Sequence, residues 1–257
     1  MSSNPQSAVE LRDISFAYNG ADEDLSGLLY DRFSLSIRRG EITEIMGASG
    51  SGKSTLGKLL GGELLPHSGS IVWDDALAAE LDHYYMDQKP EKVFYPSQTV
   101  RKNLLYAPKT RGLFNGKLDS WVDQLLTDFR LTALQDRHPF FTSGGQQSRI
   151  ALARVLSWKP KAIILDEYLR SLDPNTRDWV IRKLQHFAVA ERMTIIAITH
   201  DMTEALRLAD RCIIIGGQPV KVLADISMHL PHPRDEQAPE YRAAQEALFE
   251  AVRHGYL

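Results

Sequence analysis

Gly47-Ala-Ser-Gly-Ser-Gly-Lys-Ser54 is entered from Ile42-Thr-Glu-Ile-Met46 and left through Thr55-Leu-Gly-Lys-Leu-Leu60. The first run has the length and character of a strand, the last has helical patterning, and the segment between them fits G-x-x-x-x-G-K-[ST] at every position. Glycines at 47, 50 and 52 let the backbone curl until successive N–H groups point inward. The helix that follows adds the positive end of its dipole, which makes a cradle for phosphate oxygens. Lys53 is positioned to reach β- and γ-phosphates, and the Ser54 hydroxyl to ligate Mg2+. Ala48, Ser49, Ser51 and Thr55 complete the candidate nucleotide-binding stretch.

Phosphoryl transfer needs a second anchor for the metal, an acid closing a buried strand elsewhere in the same sheet. Asp166 ends the run Ala162-Ile-Ile-Leu165 and Glu167 follows at once. Asp166 is expected to hold the metal, and Glu167 to orient or deprotonate water. Two further short runs, Ile195-Ile-Ala-Ile198 and Cys212-Ile-Ile-Ile215, are apolar almost throughout. Strands covered on both faces read this way. Helical patterns lie between them, at Gln147 to Leu156 and Trp179 to Ala190, so the alternation predicts an α/β fold with a parallel sheet.

Before the phosphate loop, Val9 to Tyr18 reads as a strand whose apolar phase slips once, and Phe33, Leu35 and Ile37 alternate as a second strand ending near Gly40. From about Lys89 to Ser157 the pattern turns helical, with Trp121, Val122, Leu125, Leu126 and Phe129 on one face, which predicts a helical insertion. Pro231 and Pro233 break the chain, and Pro239 opens a helix carrying Tyr241, Ala244, Leu248 and Val252 along one side. The expected organisation is one ATPase domain over 1–225, with the insertion at about 89–157, and a C-terminal extension over 226–257.

Composition sets outer bounds. The 257 residues are 43% hydrophobic and 25% charged, which is ordinary for a globular chain. Thirty Lys and Arg stand against 33 Asp and Glu, and a mildly acidic chain speaks against nucleic acid as a partner. A single cysteine, Cys212, excludes an intrachain disulfide. No apolar run approaches the roughly 18 residues of a membrane span, and the N-terminus lacks a secretory pattern, so the chain is expected to be soluble or held at a membrane by a partner.

Thr142-Ser-Gly-Gly-Gln146, continued by Gln147-Ser-Arg-Ile-Ala-Leu-Ala-Arg154, resembles the Leu-Ser-Gly-Gly-Gln signature of ATP-binding cassette (ABC) ATPases. Small residues opening a helix offer a hydroxyl and close N–H groups to an anion. The resemblance implies that Ser143, Gly144, Gly145 and Gln146 meet the γ-phosphate held by a second copy, in a head-to-tail homodimer with ATP sandwiched between the subunits. It assigns Tyr18 to adenine stacking, Gln88 to Mg2+ and water, Asp173 of Ser171-Leu-Asp173 to the opposite subunit, and His200 to the γ-phosphate. The family fold it implies is a P-loop, RecA-like parallel core with an N-terminal antiparallel β subdomain and an inserted helical subdomain. Three departures stand out: Thr142 for the usual leucine, Tyr168-Leu-Arg170 where the family has Pro-Thr-Ser, and Glu44 where the strand usually carries a small or apolar residue.

One cassette without a membrane span resembles the separate ATPase chains of importers more than those of exporters. The segment Ile226-Ser-Met-His-Leu-Pro-His-Pro-Arg-Asp235 resembles the tail of nitrate, sulfonate and taurine importer ATPases. That likeness implies a peripheral location on the cytoplasmic face of the inner membrane, integral membrane permease subunits, and a periplasmic or lipid-anchored solute-binding protein. The alternative is an ABC ATPase of an exporter, lipid-handling or other non-import complex.

Overall fold

The isoleucine-rich runs become strands because β-branched side chains suit a pleated surface buried on both faces. The computed structural model describes residues 7–18, 27–75, 77, 82–87, 89–112, 116–228, 230–232 and 234–255. Strands β1 (Ser7–Phe16), β2 (Tyr30–Arg38) and β4 (Ser68–Trp73) form a three-stranded sheet in the order β2-β1-β4, antiparallel throughout. Strands β3 (Ile42–Met46), β5 (His83–Met86), β6 (Ala162–Asp166), β7 (Thr194–Thr199), β8 (Arg211–Gly216) and β9 (Lys221–Ser227) form a second sheet in the order β5-β6-β7-β3-β8-β9.

Every residue of β3, β6, β7 and β8 is buried, and the pairs β3/β7, β3/β8 and β6/β7 are parallel, as continuous apolar runs require. The expected parallel sheet is nevertheless mixed. Strand β9 runs antiparallel to β8 and is largely solvent-facing, so its Lys221-Val-Leu-Ala-Asp-Ile-Ser227 never shows the apolar run of an inner strand. The phase slip read in the N-terminal strand is a real irregularity. The β1/β2 register shifts between Leu11 and Ile14, and Asp13 turns to a φ of 49°. Gly69 faces that kink, with a φ of 81°, and a Cβ there would lie 2.4 Å from the Asp13 carbonyl oxygen.

The chain divides into two compact units. The first comprises Met1–Tyr85, Lys161–Glu167 and Ile181–Leu257. Its main core lies between the two sheets and the helix α1 (Lys53–Leu60), where Val9, Ile14, Phe33 and Ile37 meet Ile45, Ile196, Ile213, Leu56 and Leu59. A second cluster covers the other face of β3 and β8. There Met46, Cys212 and Ile214 pack with Ala205 and Leu206 of α6 (Met202–Leu208) and with Tyr241 and Leu248 of the C-terminal helix α7 (Pro239–Gly255). The apolar stripe of α7 covers this face of the first unit's sheet. Each fully buried leucine or isoleucine in these clusters contributes roughly 2–3 kcal/mol.

The second unit comprises Met86–Pro160 and Tyr168–Val180. It holds α2 (Val100–Arg111), α3 (Leu118–Asp128), α4 (Gly144–Ser157) and the start of α5 (Pro174–Glu191), and no strand among its described residues beyond the last residue of β5. Val122, Leu125, Leu126 and Phe129 are buried, as the periodic pattern predicts. Asn103, fully buried, holds the entry to the unit: its amide bonds the carbonyls of Tyr95, Gln98 and Thr99 and accepts from the Tyr95 N–H at 2.8 Å. No described helix is long and apolar enough to cross a membrane.

Candidate functional site

The loop between β3 and α1 is shaped by its glycines. A Cβ at Gly47 would fall 2.4 Å from Ser51 Oγ and 2.5 Å from the Ile215 carbonyl, so only glycine fits. Gly52 has a φ of 91°, and its carbonyl accepts from the Tyr30 hydroxyl at 2.9 Å and from the Leu56 N–H at 2.9 Å. Lys53 Nζ donates to the carbonyls of Gly47 (2.8 Å) and Ala48 (2.7 Å). Burial lowers the Lys53 ammonium below the usual lysine value, while the nearby Glu167 and Asp166 charges pull the other way. Ser49 and Gly50 form the exposed rim of the loop. Ser51 Oγ is buried with no hydrogen-bond partner.

The acids sit where β6 ends. Ser54 Oγ donates to Asp166 Oδ1 at 3.1 Å, and the Tyr85 hydroxyl donates to Asp166 Oδ2 at 2.8 Å. Glu167 adopts a φ of 45°, rare for a residue with a Cβ, and its N–H bonds the Ile198 carbonyl at 2.9 Å. Its Oε1 lies 3.2 Å from His200 Nδ1, at the end of the neighbouring strand β7. Asp201 then caps α6, accepting from the Thr203 N–H at 2.8 Å, which fixes the turn carrying His200. One unit thus brings together Lys53, Ser54, Asp166, Glu167 and His200. At the other side of α1, Tyr18 is exposed, its ring edge-on to Phe16 at 5.2 Å and its hydroxyl 2.7 Å from Thr55 Oγ1.

The donor set fits a polyphosphate and Mg2+. A primary hydroxyl and a carboxylate oxygen side by side are the hard oxygens this ion takes, with water and substrate oxygens supplying the rest. No group of three or more His, Cys, Asp or Glu that could hold a metal occurs among the described residues.

In the second unit, α4 opens on the signature residues. Gln146 Oε1 accepts from the Ser143 N–H at 3.0 Å, closing the first turn back on itself. Ser143 and Gly144 are exposed, and nothing lies within 4 Å of a Cβ built on Gly144. Asp173 Oδ2 lies 3.8 Å from a Cβ built on Gly145. Hydrogen bonds from Thr176, its side chain first, hold the Asp173 carboxyl below the usual range. The signature and Asp173 therefore share one surface of this unit. Gln88 lies outside the described residues.

Sequence reasoning missed three hydroxyls. Tyr85 on Asp166, Tyr30 on Gly52 and Tyr168 on the Ser148 carbonyl each tie a functional segment in place. A tyrosine on a strand or turn has no spacing that separates a tether from a core filler.

A model of the family described as ABC transporter matches residues 30–170. The energy-coupling factor transporter ATP-binding protein of Clostridioides difficile (strain 630) is 32% identical over 235 residues, covering 86% of this chain and 83% of that protein. Its namesake in Bacillus subtilis (strain 168) is 33% identical, covering 83% and 77%. A putative ATP-binding protein of Brucella abortus is 32% identical over 88% of both chains. Two solved structures share the fold: cbiO1 from Clostridium perfringens, titled as part of the ABC transporter complex cbiONQ (TM-score 0.75, 23% identity, 98% of each chain), and an ATP binding subunit of an ABC transporter (TM-score 0.78, 22% identity, 97% and 100%).

These relatives replace the nitrate, sulfonate and taurine likeness read from the tail. The structure supplies a physical reason for that motif's weakness. His232 Nε2 lies 2.7 Å from Asp210 Oδ1, Arg234 bonds the same oxygen at 3.3 Å, and Asp210 Oδ2 accepts from the Ile42 N–H at 3.0 Å. Burial raises the Asp210 carboxyl, but these partners outweigh it and hold it below the usual range. His232 and Arg234 thus clasp this segment to Asp210. The chain belongs to the ABC transporter family, as one of the ATP-binding subunits that couple ATP hydrolysis to transport.

Proposed function

We propose that this chain is the ATP-hydrolysing subunit of an importer of the energy-coupling factor type, acting as a head-to-tail pair beneath membrane-embedded permease subunits on the cytoplasmic face. The observation that carries the reading is the pairing of Ser54 with Asp166 and of Glu167 with His200 at the mouth of one phosphate loop. The energy-coupling factor type rests on the printed names of the relatives in Clostridioides difficile and Bacillus subtilis.

Lys53 exchanges its two loop carbonyls for β- and γ-phosphate oxygens, and Ser51 Oγ gains the partner it lacks. Ser54 Oγ and Asp166 Oδ1 would hold Mg2+, and Gln88 would be a further ligand. When bound, the ion neutralises charge on the β- and γ-phosphate oxygens. Glu167 accepts the proton of the attacking water, and His200, bonded to that carboxylate, meets the γ-phosphate. Tyr18 stacks on adenine. Ser143, Gly144, Gly145 and Gln146 of a second copy close over the γ-phosphate, with Asp173 beside them. ATP can favour the closed pair only by its preference for that state.

Two measurements test this. Glu167→Gln should keep ATP binding, accumulate the ATP-bound pair in size-exclusion chromatography, and lower phosphate release on the order of 10²-fold or more. Near-normal turnover in that variant overturns the role of Glu167. A mild-detergent pull-down from source membranes should retain a multi-span permease. Soluble partners only would move the chain to a non-transport machine.

A further inference from the structure

Gly52 is the cap at which the phosphate loop becomes the helix α1. Its φ of 91° belongs to backbone that glycine adopts freely and other residues rarely do. The freedom that admits the turn does not hold it in place. The peptide joining Gly52 to Lys53 is held by what its carbonyl bonds. Two donors meet that oxygen, the Leu56 N–H at 2.9 Å and the Tyr30 hydroxyl at 2.9 Å. The first is the opening bond of α1 itself. The second comes from another element altogether, the start of β2.

Tyr30 is a firm post. Its side chain is completely buried, and its ring packs on Phe33 with centroids 5.0 Å apart. It pairs with Phe16 of β1. Just before it, the Leu29 N–H bonds the Phe16 carbonyl and the Leu29 carbonyl accepts from the Val220 N–H, both at 2.8 Å. A Cβ on Gly52 would fall 2.9 Å from the Tyr30 hydroxyl, 3.3 Å from Val220 and 3.4 Å from Leu29, so the loop rests directly on these three side chains. Burial, with Tyr18 adding to it, pushes the Tyr30 phenol above its usual value, so its oxygen keeps the proton it donates. All of these residues belong to the first unit.

The Gly52–Lys53 peptide is trans, so its C=O and N–H lie in one plane and point opposite ways. Fixing the carbonyl between Leu56 and Tyr30 therefore aims the Lys53 N–H out of the N-terminal end of α1. Lys53 is the first residue of that helix, which has no carbonyl of its own for this N–H. We propose that Tyr30 is a positioning residue for phosphate binding, its hydroxyl fixing the Gly52–Lys53 peptide so that the Lys53 N–H faces a nucleotide phosphate. This rests on Gly47–Ser54 being the phosphate loop. The N–H meets bound phosphate before and during transfer alike, so its aim bears on binding more than on turnover.

Tyr30→Phe isolates the hydroxyl. The ring still fills its site, and the Gly52 carbonyl keeps its Leu56 partner, so the fold is retained. On the full chain at 25 °C, Kd for Mg-ATP and for Mg-ADP should both rise about fivefold, the scale of one ordinary hydrogen bond, with kcat at saturating Mg-ATP within twofold of the parent. Affinities within twofold of the parent overturn the proposal, whatever happens to kcat. Phe33→Leu loosens the same core beside Tyr30 without touching the hydroxyl, and should leave both affinities within twofold. An equal loss of affinity in that variant overturns the proposal too, because it would mark Tyr30 as core packing alone. Lys53→Ala, titrated alongside, separates the two claims. Unchanged ATP affinity there removes the phosphate loop itself, whereas a silent Tyr30→Phe beside a weakened Lys53→Ala removes only the role of Tyr30.

Discussion

Two acids lie at almost the same level of one sheet, on either side of β7. Asp166 pairs with Ile198 across one edge of that strand, and Glu44 pairs with Ala197 across the other. Both are buried, Asp166 to 3% exposure and Glu44 to none. Asp166 carries two hydroxyl donors, from Ser54 and Tyr85. Neither carboxylate oxygen of Glu44 has a hydrogen-bond partner among the described residues. Burial first, and then the like charges of Glu204 and Asp201, push the Glu44 carboxyl well above the usual range. Burial by itself favours the neutral acid. Hydrogen bonds donated to a carboxylate favour its charged form. The same sheet therefore holds one acid with hydroxyl donors on both oxygens and one whose oxygens have no hydrogen-bond partner among the described residues.

The largest way to break this contrast is Asp166→Asn. It removes the charge that the metal needs, so phosphate release should fall on the order of 10²-fold or more, a loss of several kcal/mol of charge stabilisation. A variant that hydrolyses ATP normally would put Asp166 on a par with Glu44. A middle-sized effect is expected for Tyr85→Phe, which leaves Asp166 in place but strips one donor. The Mg2+ concentration for half-maximal hydrolysis should rise about tenfold, as for other partners that orient a metal ligand. An unchanged Mg2+ dependence would make Tyr85 a mere filler.

Glu44→Gln should have the smallest effect on turnover, leaving it within twofold. Its signature is in stability against pH. A carboxyl whose folded value is raised contributes fully below its unfolded value, about 4.3, and that contribution is lost as pH rises toward the folded value. Chemical denaturation from pH 4 to pH 8 should thus show the parent losing up to about 1.4 kcal/mol per pH unit from this group, with a flatter curve for the glutamine variant. Parallel curves would mean that Glu44 is no more burdened than a surface acid.

Much of this was legible in the chain because the physics involved is local. Ile42–Met46 forms a strand with the bounds read from the sequence, and α4 starts at the glycines of the signature because small residues and a serine open helices. The acids of β6 were readable because a charge closing an apolar run is conspicuous. Strands β4, β5 and β9 were not readable. Ser-Gly-Ser-Ile-Val-Trp has no clean alternation, and His83–Met86 and Lys221–Ser227 take their strand form from neighbours already in place. Glu44 was visible as an anomaly, but its cause was not. That an α6 acid, Glu204, and the cap Asp201 lie against it is a matter of tertiary packing alone.

Cys212 neighbours Glu44 across the β3/β8 pair and is fully buried. Burial, reinforced by the Glu44 and Asp225 charges, pushes its thiol far above the usual value, and only a thiolate reacts readily with alkylating reagents. It is also the chain's single cysteine. The native molecule is therefore a blank slate for thiol chemistry. A cysteine introduced at Phe141 or Phe249, both exposed, becomes the sole address for a fluorophore or crosslinker. The slow appearance of label on Cys212 itself becomes a stopwatch for the opening of the sheet's interior.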